Sequence, residues 1–198
     1  EKNLEKLKDI EWFLGEELLQ RYKFVKKFAL KKNNMRHSLV FFKVLHSVIN
    51  SINLLEIRGR DSLGIFFNIT LEKNEKNLKI VKNLNPNGKY SYKITTKKII
   101  LNVVYKTFNI IGSLGENSNK LLHQFKRDKS IINLFLQGNF ETVTIIAHTR
   151  WASVGKVNLE NTHPVIKNKI FSFMNGDIQN YKNFIKSKNK KNKESDAF

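Results

Sequence analysis

The hydrophobic period of this chain changes once, near residue 55, and that change limits the possible folds more than any other feature of the sequence. Before it, Leu4, Leu7, Leu14, Leu18, Tyr22 and Val25 follow a three- and four-residue spacing, and Phe41, Val44, Leu45, Val48, Ile52 and Leu55 do the same. Such spacing places apolar side chains on one face of a helix, so two amphipathic helices, antiparallel and each facing a core, are expected. After it, β-branched and aromatic residues dominate. Residues 65–70 read as a strand, 90–111 as mostly strand, 142–147 as a buried strand and 170–174 as a short strand. Residues 116–137 and 178–185 suit helices, 71–89 an exposed hairpin connection, and 186–193 a lysine-rich loop. Strands and helices are interspersed without regular βαβ spacing, which predicts an α+β layered domain.

Composition removes several functions. The chain has 198 residues and no cysteine, so disulfides, thiolate metal sites and a cysteine nucleophile are absent from these residues. No nucleotide-binding glycine motif, HExxH or paired CxxC is present, and neither a metal nor a cofactor is expected. The formal charge of +19 invites a nucleic-acid reading, but 30 of the 36 basic residues are lysines scattered among helices and loops. They read as solvated surface, and no nucleic-acid partner is expected. No apolar run approaches the roughly 18 residues of a membrane span, and the charged start is unlike a signal segment. No membrane partner and a cytoplasmic location follow as expectations, as does a chain cut at both ends from a longer protein.

Three of the six arginines, Arg58, Arg60 and Arg150, fall within two short polar clusters at strand ends, where a sheet holds the backbone and a loop exposes its groups. A guanidinium at Arg150 suits bidentate recognition of a carboxylate, with the indole of Trp151 as a pocket wall. Asn175 followed by Gly176 offers a side-chain amide beside an unencumbered backbone N–H, the donors an oxyanion requires. Each is weak alone; an Asn-Gly after a strand is most often a turn.

Their joint order is more specific. The stretch LEIRGRDSLG at 55–64 resembles the LEYRGYDSAG element of the class II, N-terminal-nucleophile glutamine amidotransferases. AHTRWASVG at 147–155 resembles their AHTRWATHG loop, NTHP at 161–164 their NAHPH, and FMNGDIQNY at 173–181 their VHNGIIENY. The set is most similar to the glucosamine-6-phosphate synthase branch. That resemblance implies a four-layer αββα sandwich, with the helical pair of residues 1–57 inserted in or preceding an amidotransferase core of 58–198. It implies that an N-terminal cysteine thiolate attacks the amide of L-glutamine, its own α-amino group acting as base, and that ammonia passes to a sugar phosphate, fructose 6-phosphate by default, held by a downstream sugar-isomerase-type domain. Residue by residue, Arg150 would hold the glutamine α-carboxylate, Trp151 would sit on the loop over it, and Asn175 and Gly176 would stabilise the oxyanion. Asp196 would bind the α-ammonium, and Arg58 would support the nucleophile or pair with Asp61. His148 and His163 read as structural. A homodimer of the full-length protein is compatible with this reading.

The chain also departs from the pattern. At least 57 residues, which read as two helices, precede Arg58 where the family places the cysteine shortly before it, and Leu63 and Val154 replace a small residue and a histidine. A cysteine upstream of Glu1 is expected, with loss of the nucleophile as the alternative. A glutamine-binding module without turnover, and a class II amidotransferase with a different acceptor, are the rival functions.

Overall fold

The computed structural model describes residues 2–29, 35–84, 89–109, 112–137, 140–153 and 155–176. The chain opens with α1 (Lys2–Trp12), a π-helical turn (Phe13–Leu18), α2 (Leu19–Ala29) and α3 (Met35–Leu55). The remaining elements are β1 (Ser62–Glu72), α4 (Glu75–Lys82), β2 (Tyr90–Ile94), β3 (Lys98–Phe108), α5 (Glu116–Arg127), α6 (Lys129–Gln137), β4 (Thr142–Arg150), β5 (Val165–Lys167) and β6 (Ile170–Ser172).

The sheet is antiparallel in the order β2-β3-β1-β4, and β5 and β6 form a separate hairpin. β1 pairs along its whole length with β3, from Ser62↔Phe108 to Glu72↔Lys98, and with β4 from Ser62↔Arg150 to Thr70↔Thr142. Because alternate side chains point to opposite faces, Leu63, Ile65, Phe67, Ile69 and Leu71 line one face of β1, each fully buried. Ile99, Leu101, Val103 and Tyr105 of β3 share that face, and α3, α5 and α6 cover it. Aromatic contacts fill the layer: Phe41 stacks on Phe135 with centroids 3.6 Å apart, and Phe125 meets Phe67 at 5.9 Å and Tyr105 at 5.8 Å. Each such side chain contributes roughly 1.5–3 kcal/mol by leaving water. Helices and sheet therefore share one core, an α+β arrangement as expected.

α2 and α3 run antiparallel. Phe28 stacks on Phe42 at 4.8 Å and Phe24 meets His46 at 5.0 Å, so each step down one helix is a step up the other. That register corrects the expectation for the first stripe. Followed along the pair, Leu55 at the end of α3 comes level with about residue 15, and α1 lies beyond it with no buried residue. Of the predicted core positions Leu4, Leu7, Leu14, Leu18, Tyr22 and Val25, only Val25 is buried. Residues 36–55 are, by length and composition, apolar enough to cross a membrane, contrary to the sequence reading. Here the helix buries Phe41, Phe42, Leu45, Ile49 and Ile52, and Ser38 Oγ donates to the Phe135 carbonyl at 2.7 Å, as in a core helix.

Two further expectations change. The 71–89 stretch contains helix α4, capped by Asn74, whose side-chain oxygen accepts from the Asn77 N–H at 2.9 Å, and it buries Val81. β4 is half exposed in alternation rather than buried, because it is the outer strand among the described residues. The helix expected at 178–185 lies outside the described residues.

Candidate functional site

The second face of the sheet carries the polar motifs. Ser62 and Gly64 of β1 lie opposite Arg150 and His148 of β4, at the end of the sheet where β1 starts and β4 finishes. A turn, residues 58–61, feeds β1 and closes over the end of β4. A Cβ on Gly59 would stand 3.0 Å from the Arg150 backbone carbon, so any side chain there would force that backbone to give by a few tenths of an ångström. Asp61 stitches the two motifs together: its N–H donates to the Arg150 carbonyl at 3.0 Å, and its carboxylate accepts from the Ala152 N–H at 2.7 Å.

The other two motifs reach the same end of the sheet. Gly64 leaves no room for a side chain, because a Cβ there would lie 1.6 Å from the His163 carbonyl oxygen. His163 is fully buried, its ring 4.2 Å from that of His148. His148 Nε2 lies 3.0 Å from the Met174 carbonyl oxygen and donates to it in the tautomer protonated there, which holds the residue before Asn175 against β4. Lower on the same face Phe66 packs on Phe171 at 4.6 Å and near Phe173 at 6.1 Å, fixing the β5-β6 hairpin to the sheet. All four sequence motifs thus converge on one end and one face of one sheet.

The candidate residues differ in exposure. Arg150 is 2% exposed and its Nη1 donates to the Lys156 carbonyl at 3.3 Å. Asn161 Nδ2 donates to the same carbonyl at 3.1 Å, and Thr162 Oγ1 to the Asn158 carbonyl at 2.7 Å, bracing the loop after β4. Trp151 is 58% exposed, and Asn175 and Gly176 are exposed next to the anchored Met174. Gly176 has φ 139, a conformation that side chains rarely adopt. Arg58 is exposed and makes no ion pair with Asp61 among the described residues, since the Asp61 carboxylate serves the Ala152 N–H. Asp196 lies outside the described residues. No group of His, Asp and Glu suited to a metal occurs among the described residues.

Sequence reading missed three contributors. Glu56, 1% exposed, accepts from the Gly115 N–H and from the Ser118 N–H at 3.0 Å, placing a carboxylate at the start of α5. In the sequence Asp61 reads only as a partner of Arg58, and Gly64 only as the last residue of the first motif. A charged residue set in an apolar run, as Glu56 is, was the available signal. A cleft of about 460 Å³ runs between α3 and β4, lined among others by Val44, Val48, Ile52, Ala147 and the motif residues His148 and Thr149.

The α+β core thus brings together the motifs in which the chain resembles the glutamine amidotransferases. Comparison with curated proteins makes that resemblance more particular. The chain is 31% identical over 149 residues, 75% of its length, to glutamine–fructose-6-phosphate aminotransferase (isomerizing) of Buchnera aphidicola subsp. Baizongia pistaciae. It is 57% identical over 35 residues to the protein of that name from Buchnera aphidicola subsp. Acyrthosiphon pisum. A probable glutamine–fructose-6-phosphate aminotransferase of Acanthamoeba polyphaga mimivirus is 26% identical over 137 residues, 68% of the chain. Several such matches at modest identity over about 70% of the chain support a glucosamine-6-phosphate synthase-like domain. The matches cover only 17%, 6% and 16% of these relatives' own lengths. No family model and no solved structure matches the chain.

Proposed function

We propose that this chain is the glutamine-handling part of an enzyme that releases ammonia from L-glutamine and transfers it to a sugar phosphate, fructose 6-phosphate giving glucosamine 6-phosphate. The observation that carries the reading is the His148 to Met174 hydrogen bond, which ties the Asn175-Gly176 amides to the strand that ends in Arg150. In this reading Arg150 binds the substrate α-carboxylate, Trp151 covers it, Asn175 and Gly176 stabilise the oxyanion, Asp196 holds the α-ammonium and Arg58 supports the nucleophile. Because the guanidinium donates to the Lys156 carbonyl, the glutamine carboxylate takes the place of that carbonyl on binding. Residues 58–198 form the amidotransferase core, completed to a four-layer αββα sandwich by chain outside this sequence, with 1–57 as the additional helical segment. The sugar phosphate binds a downstream isomerase-type domain, in a cytoplasmic and homodimeric full-length protein.

The absence of cysteine from all 198 residues favours one second reading, a glutamine-binding module without turnover. Glutaminase assays on the full-length gene product separate the two. Turnover is expected, with Arg150→Ala raising the glutamine KM on the order of 30- to 150-fold, the equivalent of about 2–3 kcal/mol for a charge-assisted bidentate contact. Glutamine binding without turnover supports the second reading. Undiminished turnover in Arg150→Ala contradicts the assigned carboxylate site.

A further inference from the structure

The N-terminal helix is built to pair with something. Leu4, Leu7, Ile10, Leu14, Leu18 and Tyr22 follow one stripe of it, and each is between 43% and 62% exposed. Neither α1 nor the π-helical turn has a buried residue. Because α3 stops level with about residue 15, the first 13 or so residues project about 20 Å past it at roughly 1.5 Å per residue. A helical segment of that length is marginal in water unless its apolar face is covered.

Charge identifies the cover. Residues 2–18 hold Glu5, Asp9, Glu11, Glu16 and Glu17 against Lys2, Lys6 and Lys8. Residues 19–29 hold Arg21, Lys23, Lys26 and Lys27 and no acidic residue. An acidic half followed by a basic half complements itself only when two copies run antiparallel. We propose that a second copy of this chain packs antiparallel along this helix, about a twofold axis near residue 16. That alignment sets Leu14 against Leu18 and Ile10 against Tyr22 of the second copy, with Asp9 near Lys23 and Glu5 near Lys27. Each contact occurs twice by symmetry. Leu18 and Tyr22 lie beside the face that Phe24, Val25 and Phe28 turn to the core, and the apolar contact is confined to Ile10, Leu14, Leu18 and Tyr22, since Leu4 and Leu7 come level with Phe28 and Val25. A parallel pair would instead stack Glu5, Asp9, Glu11, Glu16 and Glu17 all on their own copies, whereas the antiparallel pair sets only Glu16 against its own copy and Lys6 near Lys26.

Sedimentation equilibrium of the 198-residue chain tests this independently of any glutamine chemistry. A dimer is expected, weakened several-fold when salt is raised from about 0.05 to 0.5 M, because the paired charges are exposed and screened. The Ile10→Glu, Leu14→Glu double variant touches no core residue and is expected to be monomeric with its thermal midpoint nearly unchanged. A variant with Glu5→Lys, Asp9→Lys and Glu11→Lys and one with Lys23→Glu, Lys26→Glu and Lys27→Glu should each be monomeric alone and dimerise when mixed. A monomer at all concentrations overturns the proposal, whether or not the chain then binds vesicles of phosphatidylserine and phosphatidylcholine. So does a dimer indifferent to the Ile10, Leu14 and charge changes.

Discussion

Adding one methyl group at Gly64 should separate the layers that bring the motifs together. The ideal Cβ position is 1.6 Å from the His163 carbonyl oxygen and 2.8 Å from its carbon. A tolerable approach is a little over 3 Å, so the backbone of 163 would have to retreat by about 1.5 Å, and a backbone atom cannot step aside as a flexible side-chain end does. Such overpacking typically costs about 1–3 kcal/mol, and the upper end is expected here because the retreat also separates His163 from His148. For a chain of this size about 3 kcal/mol corresponds to a drop of roughly 6–12 °C in the thermal midpoint. Differential scanning calorimetry of Gly64→Ala measures it, and the His148 ring resonances in an NMR spectrum report whether the Met174 contact survives. A midpoint within 1 °C of the parent together with an unshifted His148 resonance would refute the close approach.

Two other perturbations test the supports of the same core. Glu56→Gln removes the charge that faces the start of α5 and should lower stability by about 1–2 kcal/mol in urea denaturation, an unchanged midpoint contradicting the anchoring role. Asp128 is held below its ordinary value of 3.8: burial pushes it up, but hydrogen bonds from Lys89, Tyr90 and Tyr105 and from the Ile131 N–H outweigh that. A depressed carboxyl contributes stability that is present above its unfolded value and lost as pH falls through the folded one, so the acid limb below about pH 4 should flatten in Asp128→Asn. Burial, then hydrogen bonding to Asp128, raises Tyr90, and burial, then the Asp128 charge, raises Tyr105, both above the ordinary 10.0. Their contribution is complete below about pH 10 and declines above it, which urea midpoints measured from pH 8 to 11 should show.

Local chemistry made much of this protein legible in its sequence. The β-branched runs of β1, β3 and β4 and the helical spacing of α3, α5 and α6 follow from side-chain shape and periodicity, which need no knowledge of distant residues. The four motifs were legible for the same reason, since each is a short contiguous string. What only the tertiary structure decided depends on where separate segments end. The stripe from Leu4 to Leu14 has the pattern of a core face, yet it is exposed because α3 stops short of it. Glycine at 64 reads as nothing special until His163, 99 positions further on, occupies the space a side chain would need. Glu56 becomes the anchor of α5, and Asp61 the bridge between β1 and the 151–156 loop, only when the sheet register sets them beside those N–H groups. Periodicity records which residues want burial; the lengths and register of the packed elements determine which of them obtain it.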